Sequence, residues 1–164
     1  MSERRQPDSP LPGVVDPTAI PGRRATSYPE PFRAVVAGRE KRALGDMAGL
    51  TNFGVNLTRL DPGAASALRH WHERQDEFVY VLEGELVLVT DEGEQILRAG
   101  MAAGFPAGAP RGHQLLNRSD RPALYLEIGD RTSGDRVHYS QDDLEATLDP
   151  EGRWRFTHKD GQPY

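Results

Sequence analysis

Two histidines one residue apart, His70 and His72, precede a glutamate, Glu77, in the stretch RHWHERQDEFVYVLEG that runs from Arg69 to Gly84. On a β-strand, side chains at i and i+2 point to the same face. A strand through this pair would therefore set two imidazoles side by side, as adjacent ligands of one cation require. In the apolar run EFVYVL, Glu77, Val79 and Val81 share one face, and Phe78, Tyr80 and Leu82 share the other. With the first face inward, a carboxylate sits at the rim of an apolar interior. Charge is costly there unless a bound divalent cation offsets it. His113 opens a later run, HQLLN, and is placed to add a further imidazole from across a sheet. The residues alone leave a second reading open, in which His70 and His72 are exposed residues of a polar turn and Glu77 is a solvated strand end.

The chain has 164 residues and no cysteine. It thus forms no disulfide and offers no thiolate, so any metal must be held by imidazole, carboxylate or amide groups. The formal net charge of −5 argues against a nucleic acid partner. No apolar run is long enough to span a bilayer. The N-terminal Arg pair is followed by a segment broken by Pro10, Pro12, Pro17 and Pro21, so no signal-peptide apolar region is expected. A cytoplasmic protein without nucleic acid or membrane partners is the expectation.

The elements that must position these side chains are strands. Residues 1–31 hold seven of the 13 prolines and read as an extended arm. Residues 32–164 read as a single domain, with its core barrel at about 50–130. The segment FRAVVAGREKRALGDMAGL is ambiguous, with Phe32 to Val36 a candidate first strand. From Thr51 onward, TNFGVNLTRL, EFVYVL, ELVLVT, QILRAG, HQLLN and ALYLEIG follow one another with turn signals between them, such as DPG at 61–63 and DEGE at 91–94. Strands at this spacing predict an all-β sandwich or barrel. The one expected helix is short and late, around SQDDLEATL, with Ser140 as its cap. EFVYVL is apolar on both faces, so its outer face needs a cover, and a second copy of the chain is the expected one.

The sequence resembles the cupin superfamily, specifically its small single-domain bacterial members. The first cupin motif is similar to Gly63, His70-Trp71-His72, Glu77 and Gly84. The second is similar to Gly100, Pro106-Ala107-Gly108, His113 and Asn117. Three departures stand out. Gly63 to His70 is one residue longer than usual, Gly108 to His113 is two residues longer, and Met101 replaces a frequent acidic residue. The first two lengthen loops and leave the strand register intact. The resemblance implies a double-stranded β-helix, or jelly roll. It also implies His70, His72, Glu77 and His113 as ligands of one divalent transition metal ion. Three imidazoles and one carboxylate suit Fe, Mn, Ni, Zn or Cu without selecting among them.

A complete ligand set with open coordination positions favours a metal-dependent enzyme acting on a small organic substrate, sugar-like or carboxylate. Isomerase or lyase chemistry and dioxygenase chemistry are both compatible. The alternative is a non-catalytic module that binds or senses a sugar or another small molecule. Candidate catalytic residues besides the ligands are Arg111 in the lengthened loop, and Tyr125 and Glu127 on one face of ALYLEIG. Trp71 must face away from the two histidines flanking it. Asn117 is expected to make a turn or strand-end hydrogen bond, and His138 and His158 to be surface or packing residues.

Overall fold

The structure, a computed structural model, describes residues 11–164. The part of the arm expectation that concerns residues 1–10 lies outside the described residues. Two antiparallel sheets face each other. The first has the order β1-β2-β9-β4-β7 and the second β12-β11-β10-β3-β8-β5-β6. The strands of the first sheet are β1 (Arg39–Ala43), β2 (Phe53–Leu60), β4 (Glu77–Glu83), β7 (Ala102–Phe105) and β9 (Ala123–Asp130). Those of the second are β3 (His70–His72), β5 (Glu85–Thr90), β6 (Gly93–Arg98), β8 (His113–Leu116), β10 (Arg136–Tyr139), β11 (Glu145–Leu148) and β12 (Trp154–Thr157). No helix among the described residues is long and apolar enough to cross a membrane.

The alternation read in EFVYVL decides which side of β4 is inside. Val79 and Val81 are buried, whereas Phe78, Tyr80 and Leu82 lie on the outer face and are exposed. Val79 and Val81 pack with Leu60, Leu86, Leu97, Leu115 and Tyr125 in one apolar cluster. Burying each aliphatic side chain contributes about 1.5–3 kcal/mol. A second cluster, built on Tyr28, Val36, Leu68, Val137, Tyr139 and Leu144, lies among β10, β11 and the N-terminal segment. Gly84 makes the bend between β4 and β5 with φ 79°, and a Cβ there would meet the Pro122 carbonyl oxygen at 3.1 Å. Only glycine suits both conditions.

Two expectations fail, each for a packing reason. Phe32–Val36 is a 3-10 helix, and the first strand follows it at Arg39–Ala43. Val36 is then free to point into the second cluster instead of extending along a sheet. The helix expected around SQDDLEATL does not form. Residues 140–143 bend, and Glu145–Leu148 is strand β11 between β10 and β12. The backbone groups of EATL find ladder partners on both sides, and buried Leu144 and Ala146, two apart, share a strand face. The sheets thus reach beyond 50–130 in both directions. Residues 11–31 run along the domain. Arg23 and Lys41 exchange both backbone hydrogen bonds, at 2.8 and 2.9 Å, and Ile20 and Tyr28 are buried.

Candidate metal centre

His70 and His113 face each other directly across the β3–β8 pair, and His72 is one inward step further along β3. Glu77, at the start of β4, comes from the opposite sheet. Its Oε2 lies 3.4 Å from His70 Nε2, 3.4 Å from His72 Nε2 and 3.0 Å from His113 Nε2. The ligand atoms of His70, Glu77 and His113 all lie within 4.8 Å of one another. His72 stands slightly outside that trio and reaches it through the shared Glu77 oxygen. All four residues expected as ligands therefore meet at one point.

Their other ring atoms fix how they meet. His70 Nδ1 lies 2.8 Å from the Leu68 carbonyl oxygen, which only accepts. Nδ1 therefore donates to that carbonyl, and Nε2 is the ring nitrogen turned toward Glu77. His72 Nδ1 lies 2.5 Å from Asp135 Oδ2, and the other Asp135 oxygen accepts from the Arg74 backbone N–H at 2.8 Å. Asp135 is fully buried, so the carboxylate is held for this imidazole. Orientation of a ligating histidine by a second carboxylate is a recurring feature of metal sites. His113 stacks on Phe105 with ring centroids 3.6 Å apart. The loop before it is anchored where Gly112 N–H donates to Asp91 Oδ2 at 2.7 Å. A Cβ on Gly112 would meet Ser140 Oγ at 2.0 Å, so the lengthened loop passes close to its neighbour and still delivers His113 in register.

The electrostatics match a cation-binding set. Burial alone would raise the Glu77 carboxyl, but the contacts of His113 and His70 and the charge of His72 hold it well below the usual carboxylate range. Burial lowers His113, with the charges of His70 and His72 adding to it against the pull of Glu77. His72 moves up. Burial opposes this, but the hydrogen bond to Asp135 and the charge of Glu77 outweigh it. Glu77 Oε2 nevertheless has no well-formed hydrogen bond, although it is buried. A buried carboxylate oxygen with three imidazole nitrogens around it and no donor aligned on it is an arrangement that could hold a cation. The donor set fits a divalent transition ion.

A cavity of about 300 Å³ opens on this cluster, lined among others by Arg39, Lys41, Tyr125, Glu127 and Tyr139. The Tyr125/Glu127 side of β9 is thus the inner one. Val79 pairs with Glu127 and Val81 with Tyr125, so Glu127 stands one inward step from the Glu77 row. Lys41 Nζ is 2.5 Å from Glu127 Oε1, and the Tyr125 hydroxyl donates to Glu127 Oε2 at 3.4 Å. Arg111 lies elsewhere. It lines a second cavity, of about 410 Å³, that shares His72, Glu77, Phe105 and His113 with the first, and pairs with Glu92 at 3.3 Å. Trp71 turns away from the centre and stacks on His138 with centroids 4.4 Å apart. His138 in turn bridges Glu73 and Glu145, and His158 pairs with Asp143. The Asn117 side-chain N–H groups donate to the Leu60 and Arg121 carbonyls, closing the turn after β8.

Comparison with solved structures adds one decisive match. A sugar phosphate isomerase of the cupin superfamily from Silicibacter pomeroyi superposes with a TM-score of 0.88 at 48% identity, over 92% of this chain and 96% of that one. The chain belongs to the cupin superfamily. Residues 56–129 match the family model described as Cupin domain. A candidate sugar phosphate isomerase from Acidithiobacillus ferrooxidans superposes with a TM-score of 0.70 at 28% identity, over 78% of this chain and 82% of that one. The polyketide cyclase RemF from Streptomyces resistomycificus shares the cupin fold at 22% identity and a TM-score of 0.60, over 71% of this chain and 78% of that one. No curated protein matches the sequence.

Asp135, Arg39 and Lys41 were not picked out by the sequence reading. The i, i+2 spacing of Arg39 and Lys41 was available as a signal, but it means something only once β1 is placed at 39–43 and not at 32–36. Asp135 carries no local signal, because its partner, His72, is 63 residues away.

Proposed function

We propose that this cupin is a metal-dependent enzyme acting on a small polar organic substrate by isomerase or lyase chemistry. The observation that carries the reading is the buried, unsatisfied Glu77 Oε2 facing three imidazole nitrogens in the wall of a cavity that also holds a candidate acid–base group. His70, His72, Glu77 and His113 would hold the ion. Bound there, a divalent ion supplies Lewis-acid polarisation of a substrate oxygen. Glu127 is the group that takes up and returns a substrate proton, one strand step from the ligand row. Lys41 fixes one oxygen of that carboxylate, and the Tyr125 hydroxyl orients the other. Burial, and then the charge of Glu127, push Tyr125 well above its ordinary value, so its hydroxyl stays protonated and remains a donor. The 48% identical relative named as a sugar phosphate isomerase supports this reaction class.

The test has two steps. Metal analysis of the purified protein should find about one equivalent of a divalent transition ion, and His72→Ala should lose it. Unchanged metal in that variant would sink the ligand assignment. The metal-loaded protein, incubated in heavy water with a panel of sugars, sugar phosphates and hydroxy acids, should then catalyse deuterium exchange beside a carbonyl. Binding without exchange on every compound would favour a non-catalytic binding module. Oxygen uptake by the Fe(II)-loaded protein would favour a dioxygenase.

A pairing of two copies is also proposed. Phe78, Tyr80 and Leu82 are 42%, 38% and 38% exposed on one face of β4. Such an apolar patch calls for a cover. Light scattering should report a dimer that Tyr80→Glu dissociates.

A further inference from the structure

Arg39 and Lys41 stand two apart on β1, so both project from one face of the strand, and both line the first cavity. The fixed charges around that cavity are these two cations and the carboxylates of Glu77 and Glu127. They do not pair off. Lys41 is engaged by Glu127, and Glu77 is directed at the three imidazoles. Arg39 has no carboxylate partner among the described residues. Its Nη1 donates to the Ser66 carbonyl, a contact that positions the guanidinium without neutralising it. The side chain is half-buried. Its charge acts on the Tyr28 and Tyr125 hydroxyls, where it opposes the upward push of burial. Thr26 and Ser27 from the N-terminal segment line the same cavity and bring two hydroxyl donors. A half-buried cation with no carboxylate partner among the described residues, in a cavity lined by donors, is suited to take an anion from outside the chain.

We infer that Arg39, seconded by Lys41, binds an oxyanion carried by the substrate, a phosphate monoester or a carboxylate, while the rest of the molecule extends toward the His70–His72–Glu77–His113 cluster. This rests on the proposed enzyme reading and narrows its substrate to a small anionic molecule. The planar guanidinium fork matches two oxygens of such a group at once, which an ammonium does not. Lys41 supplies a second positive charge on the same face while holding Glu127.

The experiment is calorimetric titration of the purified full-length protein with inorganic phosphate and, separately, with malonate, alongside Arg39→Gln and Arg39→Lys. The wild type should bind at least one of the two anions, more weakly as salt is raised, and Arg39→Gln should weaken that binding by at least about tenfold. Tighter phosphate binding identifies a phosphate monoester as the substrate group, and tighter malonate binding a carboxylate. Either result supports Arg39. Wild-type protein that binds neither anion overturns the inference, as does a folded Arg39→Gln that binds both undiminished. If Arg39→Gln does not fold, Arg39→Lys decides: several-fold weaker binding is expected from loss of the fork, and unchanged binding overturns the inference. Metal content measured on the same samples separates the two failures. Wild-type protein without metal sinks the enzyme reading and leaves anion binding to be scored, whereas metal-replete protein without Arg39-dependent anion binding sinks this inference alone.

Discussion

Two cavities meet at the His–Glu cluster, and they differ in charge more than in size. Both are walled by His72, Glu77, Phe105 and His113. The larger, at about 410 Å³, is also lined by Leu88, Ala103 and Pro106 among others, with Arg111 and Glu92 paired to each other. The smaller, at about 300 Å³, holds Glu127, Tyr125, Lys41 and Arg39, which has no carboxylate partner among the described residues. A polar substrate gains little from a wall whose charges already neutralise each other in solvent, because exposed ion pairs are worth little. It gains more where fixed groups are half-buried and not fully satisfied. The proposed chemistry therefore fits the smaller cavity better, and the two sides can be tested against each other.

The largest effect should come from the wall the cavities share. Glu77→Ala removes the charge that faces all three imidazoles, and the metal content of the purified variant should fall to background. Any metal-dependent activity, whichever side the substrate enters, should go with it. Metal retained at the wild-type level in this variant would place the ion elsewhere.

Next comes a change confined to the smaller cavity. Glu127→Gln keeps shape and removes a proton acceptor, and it lies one strand step from the ligands without touching them. Turnover should fall by about 10²–10⁴-fold, the usual contribution of a positioned general base, with metal content unchanged. A variant that loses metal and activity together would show that Glu127 supports the ligands instead. A smaller effect on the metal itself is expected from Asp135→Asn. The amide still reaches His72 Nδ1 but no longer offers a charge, and metal affinity should drop by about 10–100-fold as measured by competition with a chelator.

Most of this comparison was legible in the sequence on one side only. The ligands could be read because their signals are local. His70 and His72 follow the strand period, Glu77 heads an alternating run whose inward face is apolar, and His113 opens the later strand β8. What local pattern cannot carry is long-range pairing. Asp135 reaches His72 from β10, and Lys41 reaches Glu127 across 86 residues of chain. The late segment SQDDLEATL shows the same limit from another angle. Its acidic, Ser-capped opening favours a helix locally, yet β10 and β12 on either side offer its backbone a complete ladder, and the ladder wins. Arg111 reads as a candidate because its lengthened loop leads to His113, but sequence distance does not say which cavity that loop borders.

That last point gives the weakest and most discriminating expectation. Arg111 and Glu92 are 70% and 68% exposed, so solvent screens both charges and their pairing contributes on the order of 0–1 kcal/mol at most. Arg111→Ala should therefore leave metal content and thermal stability unchanged, and shift kcat/KM by no more than about twofold. The loop itself does not depend on it, since the segment before His113 is held by the Gly112–Asp91 hydrogen bond and by the close approach to Ser140. A tenfold or greater rise in KM with metal intact would mean that the substrate's charge is met at the larger cavity. The roles of the two sides would then be reversed, with Arg39 left as a structural cation tied to the Ser66 carbonyl.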